Sequence, residues 1–405
     1  MGGWRDSDKG KVKGSVVVAI REKALQSRAF AALKYIYDNR ESYLIDAKAK
    51  GRKVVGTLGC DVPDEILMAA GYLPVRLYAD KDPDLRDANQ YLEFSFDPVI
   101  RAQFQKIVDG TYYDLVDRIV ISNSTDALIR IYFYLREVHH IEPEKKVPPV
   151  YFIDWLFTRT RMHQVRNEGT IKRFIEEVES WSGTALTDSE IRAASEVCNE
   201  NRAALRSFSA LRKGENATVN SSEALVVIGS SLFMDRKAHT ELVNQVIEDA
   251  RSWEKLSGPK VYMTGSVQEN TELYELVEAY GGLIVSEDHD WGDRYMDRDV
   301  NAGLDPVRGI VDRYMLRMFS SKKAFVSQRV EALADAVEAS GAEGVLFYLR
   351  IYEDSPSWDF PEQNKRLKAM GKKVAYLAKQ GTEITGNIKL RADITAFISD
   401  MKGGC

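Results

Sequence analysis

Short apolar runs alternate with helix-like segments, and they do so twice along the chain; no other feature constrains the fold as strongly. The first series is "KVVGTL", "YLPVRLY", "DRIVIS" and "PVYFIDW", between residues 53 and 155. Between these runs lie "PDEILMAAG", with Pro63 in its first turn and Gly71 as its stop, "PVIRAQFQKIVDG", ending at Gly110, and an amphipathic stretch from Thr125 to Val138. Strands separated by helices cannot pair as hairpins, so they predict parallel sheets built from βαβ units. The second series is "ALVVIGS", "KVYMTGS", "GGLIVSED", "GVLFYLRI" and "KVAYLA". Its helices are expected near Lys237–Ser252, Thr271–Tyr280, Lys323–Ser340 and Pro361–Met370, with a closing helix to about Met401. Two long helical segments, Thr160–Trp181 and Asp188–Lys213, and the linker-like "GENATVNSS" separate the series. Val16 to Ala47 repeats apolar residues at helical spacing. The expected architecture is α/β, with two Rossmann-like halves whose parallel sheets face a central cleft, plus a helical N-terminal arm. The divisions fall at 1–50 for the arm, 51–215 for the first α/β domain with its helical extension, and 216–405 for the second.

Composition narrows the partners. The net charge is −5 over 405 residues and no basic block occurs, which argues against nucleic acid, whose phosphates need clustered Lys and Arg. No apolar run is long enough to span a membrane, and "MGGWRDSDKGKVKG" lacks the apolar core of an export signal. Three cysteines in such a length make no disulfide framework, so a reducing cytoplasm is the expected location.

In open parallel sheets ligands bind beyond the carboxyl ends of the strands. That rule selects "GTLGCD", "SNSTD", "TGSVQEN", "SEDHDWGDR" and "LRIYEDSPSW" as cleft loops. Cys60, at a strand–helix junction, is either a small buried residue or a ligand. Glu353 and Asp354, with Glu287, Asp288 and Asp290, form either a carboxylate cluster or a solvated acidic loop. His289 is either a general acid or base or a surface imidazole. Asp64 and Glu65, in a helix's first turn, are expected to complement its dipole at about 0.5 kcal/mol each. Gly56 and Gly59 are too sparse for a dinucleotide fingerprint.

At these loops the chain resembles the 2-hydroxyacyl-CoA dehydratase and benzoyl-CoA reductase family. The resemblance runs from about residue 50 to 400, on "VVGTLGCDVPDEILMAAGYLPVRL", "SNSTDALIRIYFYLRE", "YFIDWLFTRT", "NENRAALRSFSALRK", "VYMTGS", "GGLIVSEDHDWGDR", "GVLFYLRIYEDSPSWDFPEQNKRL" and "TGNIKLRADITAFISDM". It implies paired homologous subunits and an acyl-CoA substrate. It also implies a [4Fe-4S] cluster on three cysteines of a subunit, and an ATP-dependent iron-sulfur activator protein that supplies an electron. Cys60 matches the first cluster cysteine; Thr125, ahead of Asp126, and Glu353, ahead of Asp354, stand at the other two. Thiolate suits cluster iron, carboxylate suits it less, and a hydroxyl least. Cys198, in "SEVCNENR", and Cys405, at the chain end, are far from the cleft by this reading. The resemblance makes Glu353 a catalytic as well as a metal-position candidate beside His289. It points to Arg130, Arg136, Arg159, Arg161 and Arg294 as phosphate contacts, each otherwise a surface or ion-pair arginine. It makes the "YFIDWLF" loop with Trp155 either acyl pocket or core.

Three functions follow. The first is a subunit of a 2-hydroxyacyl-CoA dehydratase-like or benzoyl-CoA reductase-like enzyme, with the iron-sulfur cluster in this chain or in its partner subunit. The second is a mononuclear or altered metal site on Cys60 and Glu353. The third is a cluster-less, non-catalytic scaffold.

Overall fold

A computed structural model describes residues 20–81, 83–317 and 324–403. The start of the arm, the expected helix start at Lys323 and the tail with Cys405 lie outside them. Eight strands form two sheets: β1 (Lys53–Leu58), β2 (Tyr72–Arg76), β3 (Arg118–Ser122) and β4 (Val150–Ile153) in one, β5 (Lys260–Gly265), β6 (Leu283–Glu287), β7 (Gly344–Arg350) and β8 (Lys373–Gln380) in the other. Their orders are β2-β1-β3-β4 and β6-β5-β7-β8, and every pairing is parallel. The central strands are apolar along their length and buried on both faces, as parallel sheets covered by helices require.

The run "ALVVIGS" is not a strand. It lies in a helix, Ser221–Ser230, in which every residue is buried. The Asn220 side chain accepts the Glu223 N–H at 2.8 Å, and Glu223 accepts the Asn220 N–H at 3.0 Å, a reciprocal cap that starts a helix. A helix buried on all sides has no polar stripe, so its sequence reads like that of a buried strand. The second sheet therefore has four strands among the described residues. Likewise the helix expected from Pro361 starts at Ser355 and carries Pro361 inside it.

The arm is three helices, Glu22–Leu25, Arg28–Asp38 and Arg40–Ala49, broken at Ser27 and Asn39. It packs on Ser221–Ser230 and Arg236–Ala250, beside the second sheet, although it precedes the first in sequence. Arg21 holds it there through the buried Glu223, with contacts of 2.9 and 2.6 Å. In the opposite sense the helix Pro306–Leu316, which follows β6, packs on Arg161–Ser182 and closes the core beneath β1 and β3. The chain thus crosses between the lobes several times, and both lobes contribute to the walls between them. No helix among the described residues is long and apolar enough to cross a membrane.

Candidate active-site cleft

Each sheet has one place where the chain leaves two neighbouring strands in opposite directions: between β1 and β3, and between β5 and β7. Such a switch point opens a crevice at the carboxyl ends of the strands. The two crevices face each other and enclose a cavity of about 420 Å³. Cys60 and Thr125 line it from the first lobe, and Asp288, Arg294, Arg350 and Glu353 from the second.

Cys60 enters the cleft because Gly59 turns the chain with φ +89° immediately after β1. A Cβ at Gly59 would stand 2.4 Å from Ser122 Oγ, so only glycine fits there. The Cys60 N–H donates to Ser124 Oγ at 3.1 Å, and its Sγ lies 3.8 Å from the same oxygen. From behind, Arg317 donates to the Cys60 carbonyl at 2.7 Å and to the Arg294 carbonyl at 2.5 Å. One guanidinium therefore ties the two loops that bear Cys60 and Arg294. Thr125 caps the helix Asp126–Ile141, its Oγ1 accepting the Leu128 N–H at 3.3 Å.

Glu353 follows Tyr352, which adopts the left-handed φ of +67°. Its carboxylate sits 3.2 Å from Arg350, which in turn pairs with Asp97 of the first lobe at 2.9 Å. Burial pushes the Glu353 carboxyl above its usual range, against the pull of Arg350. Asp288 accepts from Thr264 Oγ1 at 2.9 Å; burial raises its carboxyl to about 7, opposed by Arg294. Glu269, at the back of the cavity, is also raised by burial and accepts from Ala79 N at 2.8 Å and Gln103 Nε2 at 2.6 Å. These carboxyls are held toward their neutral forms, in which each can donate a proton or a hydrogen bond to a carbonyl.

Asp288 gives stability a pH dependence of definite sign. Its folded pKa lies above the unfolded value, so its contribution is complete below about pH 4 and is lost as pH rises through about 7. Asp288→Asn removes that loss. The difference in unfolding free energy between variant and wild type should move in favour of the variant between pH 5.5 and 8, by roughly 1 kcal/mol per pH unit below 7. Urea denaturation at the two pH values measures it, and a pH-independent difference would contradict the assignment.

The other residues singled out in the sequence lie in different places. Arg130 stands at the cleft rim, over the Phe96 ring at 4.0 Å and paired with Glu93. Arg294 lines the cleft and pairs with Asp290 at 2.9 Å. Trp155 is buried behind the cleft rather than lining it: Nε1 donates to the Asp61 carbonyl at 2.7 Å and the indole stacks on Tyr314. Arg159 is exposed outside the cavity, donating to the Leu316 carbonyl at 3.1 Å. His289 is neither a surface imidazole nor a cavity wall. It is buried, 2.5 Å from the Tyr274 hydroxyl, and burial pulls its pKa down to about 3, so it stays neutral. Cys198 is buried away from the cleft, 3.5 Å from Met68 Sδ, its thiol pushed up to about 12 by burial. The cleft residues not foreseen are Asp97, Glu269 and Arg350, with Arg317 behind them. Asp97 carried one signal, an Asp directly before Pro98, which is a helix start.

A three-cysteine cluster does not fit these residues. The donor set is one thiol, one hydroxyl and one carboxylate; the hydroxyl caps a helix and the carboxylate pairs with Arg350. Among the described residues no group of three or more His, Cys, Asp or Glu side chains is placed to hold a metal ion.

The family model described as "2-hydroxyglutaryl-CoA dehydratase, D-component" matches residues 60–399. The chain is 23% identical to the (R)-phenyllactyl-CoA dehydratase beta subunit of Clostridium sporogenes, covering 84% of this chain and 90% of that one. It is 22% identical to the lactoyl-CoA dehydratase subunit beta of Anaerotignum propionicum, covering 90% and 96%. It is also 22% identical to a benzoyl-CoA reductase subunit of Thauera aromatica, covering 87% and 91%. The matched residues begin at Cys60, just past the Gly59 turn, and include the other loops of the cleft, and the chain belongs to the 2-hydroxyglutaryl-CoA dehydratase D-component family.

Proposed function

We propose that this chain is one subunit of a 2-hydroxyacyl-CoA dehydratase-type enzyme and holds an acyl-CoA thioester in the cleft between its lobes. The observation that carries this reading is the cavity at both switch points, walled by Cys60, Thr125 and Glu353, to which the resemblance assigns the cluster-ligand positions. With Thr125 and Glu353 at two of them, the redox centre belongs to a homologous partner subunit, which an ATP-dependent iron-sulfur activator would serve. This chain supplies binding and proton handling. Glu353, held above its usual carboxylate range by burial against the pull of Arg350, is the proton carrier in place of His289, which the cleft does not reach. Arg294 faces the thioester region, and Arg130 at the rim is placed for a phosphate of the CoA. Trp155 and Arg159 take no part in binding.

The test is anaerobic purification of the chain alone and with its co-encoded homologous subunit. Saturated acyl-CoA at a hundredfold its dissociation constant should stabilise the chain by about 2.7 kcal/mol. Iron and acid-labile sulfide should appear with the partner and remain unchanged in Cys60→Ser. Iron that follows this chain and falls in Cys60→Ser would overturn the assignment of the redox centre. Failure to bind any acyl-CoA would overturn the catalytic reading and leave the scaffold.

A further inference from the structure

The arm breaks at Asn39, and residues from either side of the break meet on one atom of a cleft residue. The Tyr37 hydroxyl donates to the Glu269 carbonyl at 2.9 Å, and Arg40 Nη2 donates to the same oxygen at 2.7 Å. Arg40 Nε donates to the Tyr37 carbonyl at 2.8 Å and so fixes the break itself. The guanidinium sits among four rings, with centroids at 4.3 Å for Tyr37, 4.7 Å for Trp291, 5.0 Å for Tyr78 and 5.3 Å for Phe233. Aromatic faces attract a cation without neutralising it. Among the described residues no carboxylate forms an ion pair with Arg40, so its charge is left to act beyond the cage.

The group it acts on is the Glu269 carboxyl. Glu269 lines the cleft from the loop after β5 and is 8% exposed. Both its oxygens accept from N–H donors, Ala79 N at 2.8 Å and Gln103 Nε2 at 2.6 Å, and each keeps a further lone pair. Arg350 grips the same loop by donating to the Val267 carbonyl, and it also pairs with Glu353 at 3.2 Å. The charged and titratable groups that face Glu269 are Arg40 and Tyr37 from the arm, Tyr112 from the first lobe and Arg350 from β7. Burial raises the carboxyl; the Ala79 N–H, then Arg40 and Arg350, pull it back. Two cleft carboxyls thus share Arg350, Glu353 through a direct ion pair and Glu269 through its field.

We propose that Glu269 is the base of this cleft, with Glu353 as the acid, and that Arg40 and Tyr37 of the arm are the positioning residues that set it. The proposal rests on the acyl-CoA reading above and adds a second proton-handling group to it. Net loss of water from a 2-hydroxyacyl group is redox-neutral and needs both groups. Glu269 takes the proton from the carbon next to the hydroxyl-bearing one, and the electrons of that C–H bond close the double bond. The C–O bond breaks, and the oxygen leaves as water with the proton of Glu353. A carboxylate whose oxygens are already held as acceptors suits the first role. The arm, which precedes both lobes in sequence, is thereby part of the cleft's chemistry.

Two measurements test this. On the chain alone, urea denaturation follows the unfolding free energy of Glu269→Gln relative to its parent against pH. The folded pKa of Glu269 lies above its unfolded one, so its contribution is complete below the ordinary glutamate value and is lost as pH rises through the folded value. In an Arg40→Gln background that loss should extend upward by roughly half a pH unit or more; Arg40→Lys, which keeps the charge, should leave it in place. A loss unmoved by Arg40→Gln overturns the arm's part. In the complex with the homologous subunit and an ATP-dependent activator, lactoyl-CoA and phenyllactyl-CoA are the probes. Wild-type kcat should rise with pH through the same folded value, and Arg40→Gln should move that rise upward. Glu269→Gln should lower kcat by about a hundredfold or more, with KM changed less than about threefold. Glu269→Gln with wild-type kcat overturns the base and leaves the acyl-CoA reading intact. A wild-type complex that turns over neither ester overturns that reading and the base with it, and the chain-alone titration still decides the arm's part.

Discussion

Glu65→Ala should lower the unfolding free energy by about 3–5 kcal/mol at neutral pH, the range for removing one partner of a buried ion pair. Glu65 is fully buried in the short helix that follows Cys60. Its carboxylate accepts from Arg202 Nη1 at 3.0 Å and from the Tyr314 hydroxyl at 2.9 Å, with Arg313 Nε at 3.6 Å. Both guanidiniums are themselves buried, and truncation leaves them facing a void. Burial alone would raise the Glu65 pKa; Arg202 and Arg313 overcome it and hold the carboxyl below its usual range. The sign follows from that direction. The carboxylate's contribution is present above the ordinary glutamate pKa and is lost as pH falls through the lower folded value, so the gap between variant and wild type should close in acid. Urea denaturation at pH 7 and at stepped values well below pH 4 measures both effects. A loss under about 1 kcal/mol at pH 7 would mean that water reaches the two arginines and the network is not dry.

Glu65 also shows where sequence reasoning stops. An acid in the first turn after Pro63 reads as a dipole partner at the surface. Nothing within the helix reveals that Arg202, 137 residues away, comes down on it. The alternation of strands and helices was legible because each unit is local: a run, a cap, a stop. The loops that carry Cys60, Thr125 and Glu353 were legible because parallel strands send their following loops to one edge; the resemblance then singled out these three residues within them. Two kinds of feature were not. "ALVVIGS" lacks periodicity because it is buried on every side, and only the Asn220–Glu223 cap distinguishes it. The orientation within the loop after β6 was also hidden. "SEDHDWGDR" offers four acids, a histidine and an arginine, and the fold turns His289 inward onto Tyr274 while Asp288, Asp290 and Arg294 face the cleft. Which side chain a loop turns inward is decided by partners such as Tyr274, and sequence spacing carries no record of it.

Arg317 makes the second large prediction, because it acts on both lobes at once. Its side chain is 2% exposed. Besides the carbonyls of Cys60 and Arg294, it pairs with Asp297 at 3.1 Å and lies 3.6 Å from the fully buried Asp61. Arg317→Ala leaves Asp61 and Asp297 without that cation and should cost about 3–5 kcal/mol. It also frees the Cys60 loop from the Arg294 loop, so the thiol, now 7% exposed, becomes accessible. In a Cys405→Ser background, iodoacetamide should alkylate Cys60 at least tenfold faster in Arg317→Ala than in wild type, while Cys198, buried with its thiol near 12, stays silent. Arg317→Lys should fall between them. An ammonium can replace the charge, but it lacks the planar fork that reaches the two carbonyls and Asp297 together. Alkylation followed by peptide mass spectrometry, with far-UV circular dichroism to establish that each variant is folded, separates a positioning role from simple destabilisation. A folded Arg317→Ala whose Cys60 reacts at the wild-type rate would show that the cleft loops hold their spacing without this guanidinium. The alternative would then be that the Asp97–Arg350 pair sets the width of the cleft, and Asp97→Ala should produce the acceleration that Arg317→Ala had failed to give.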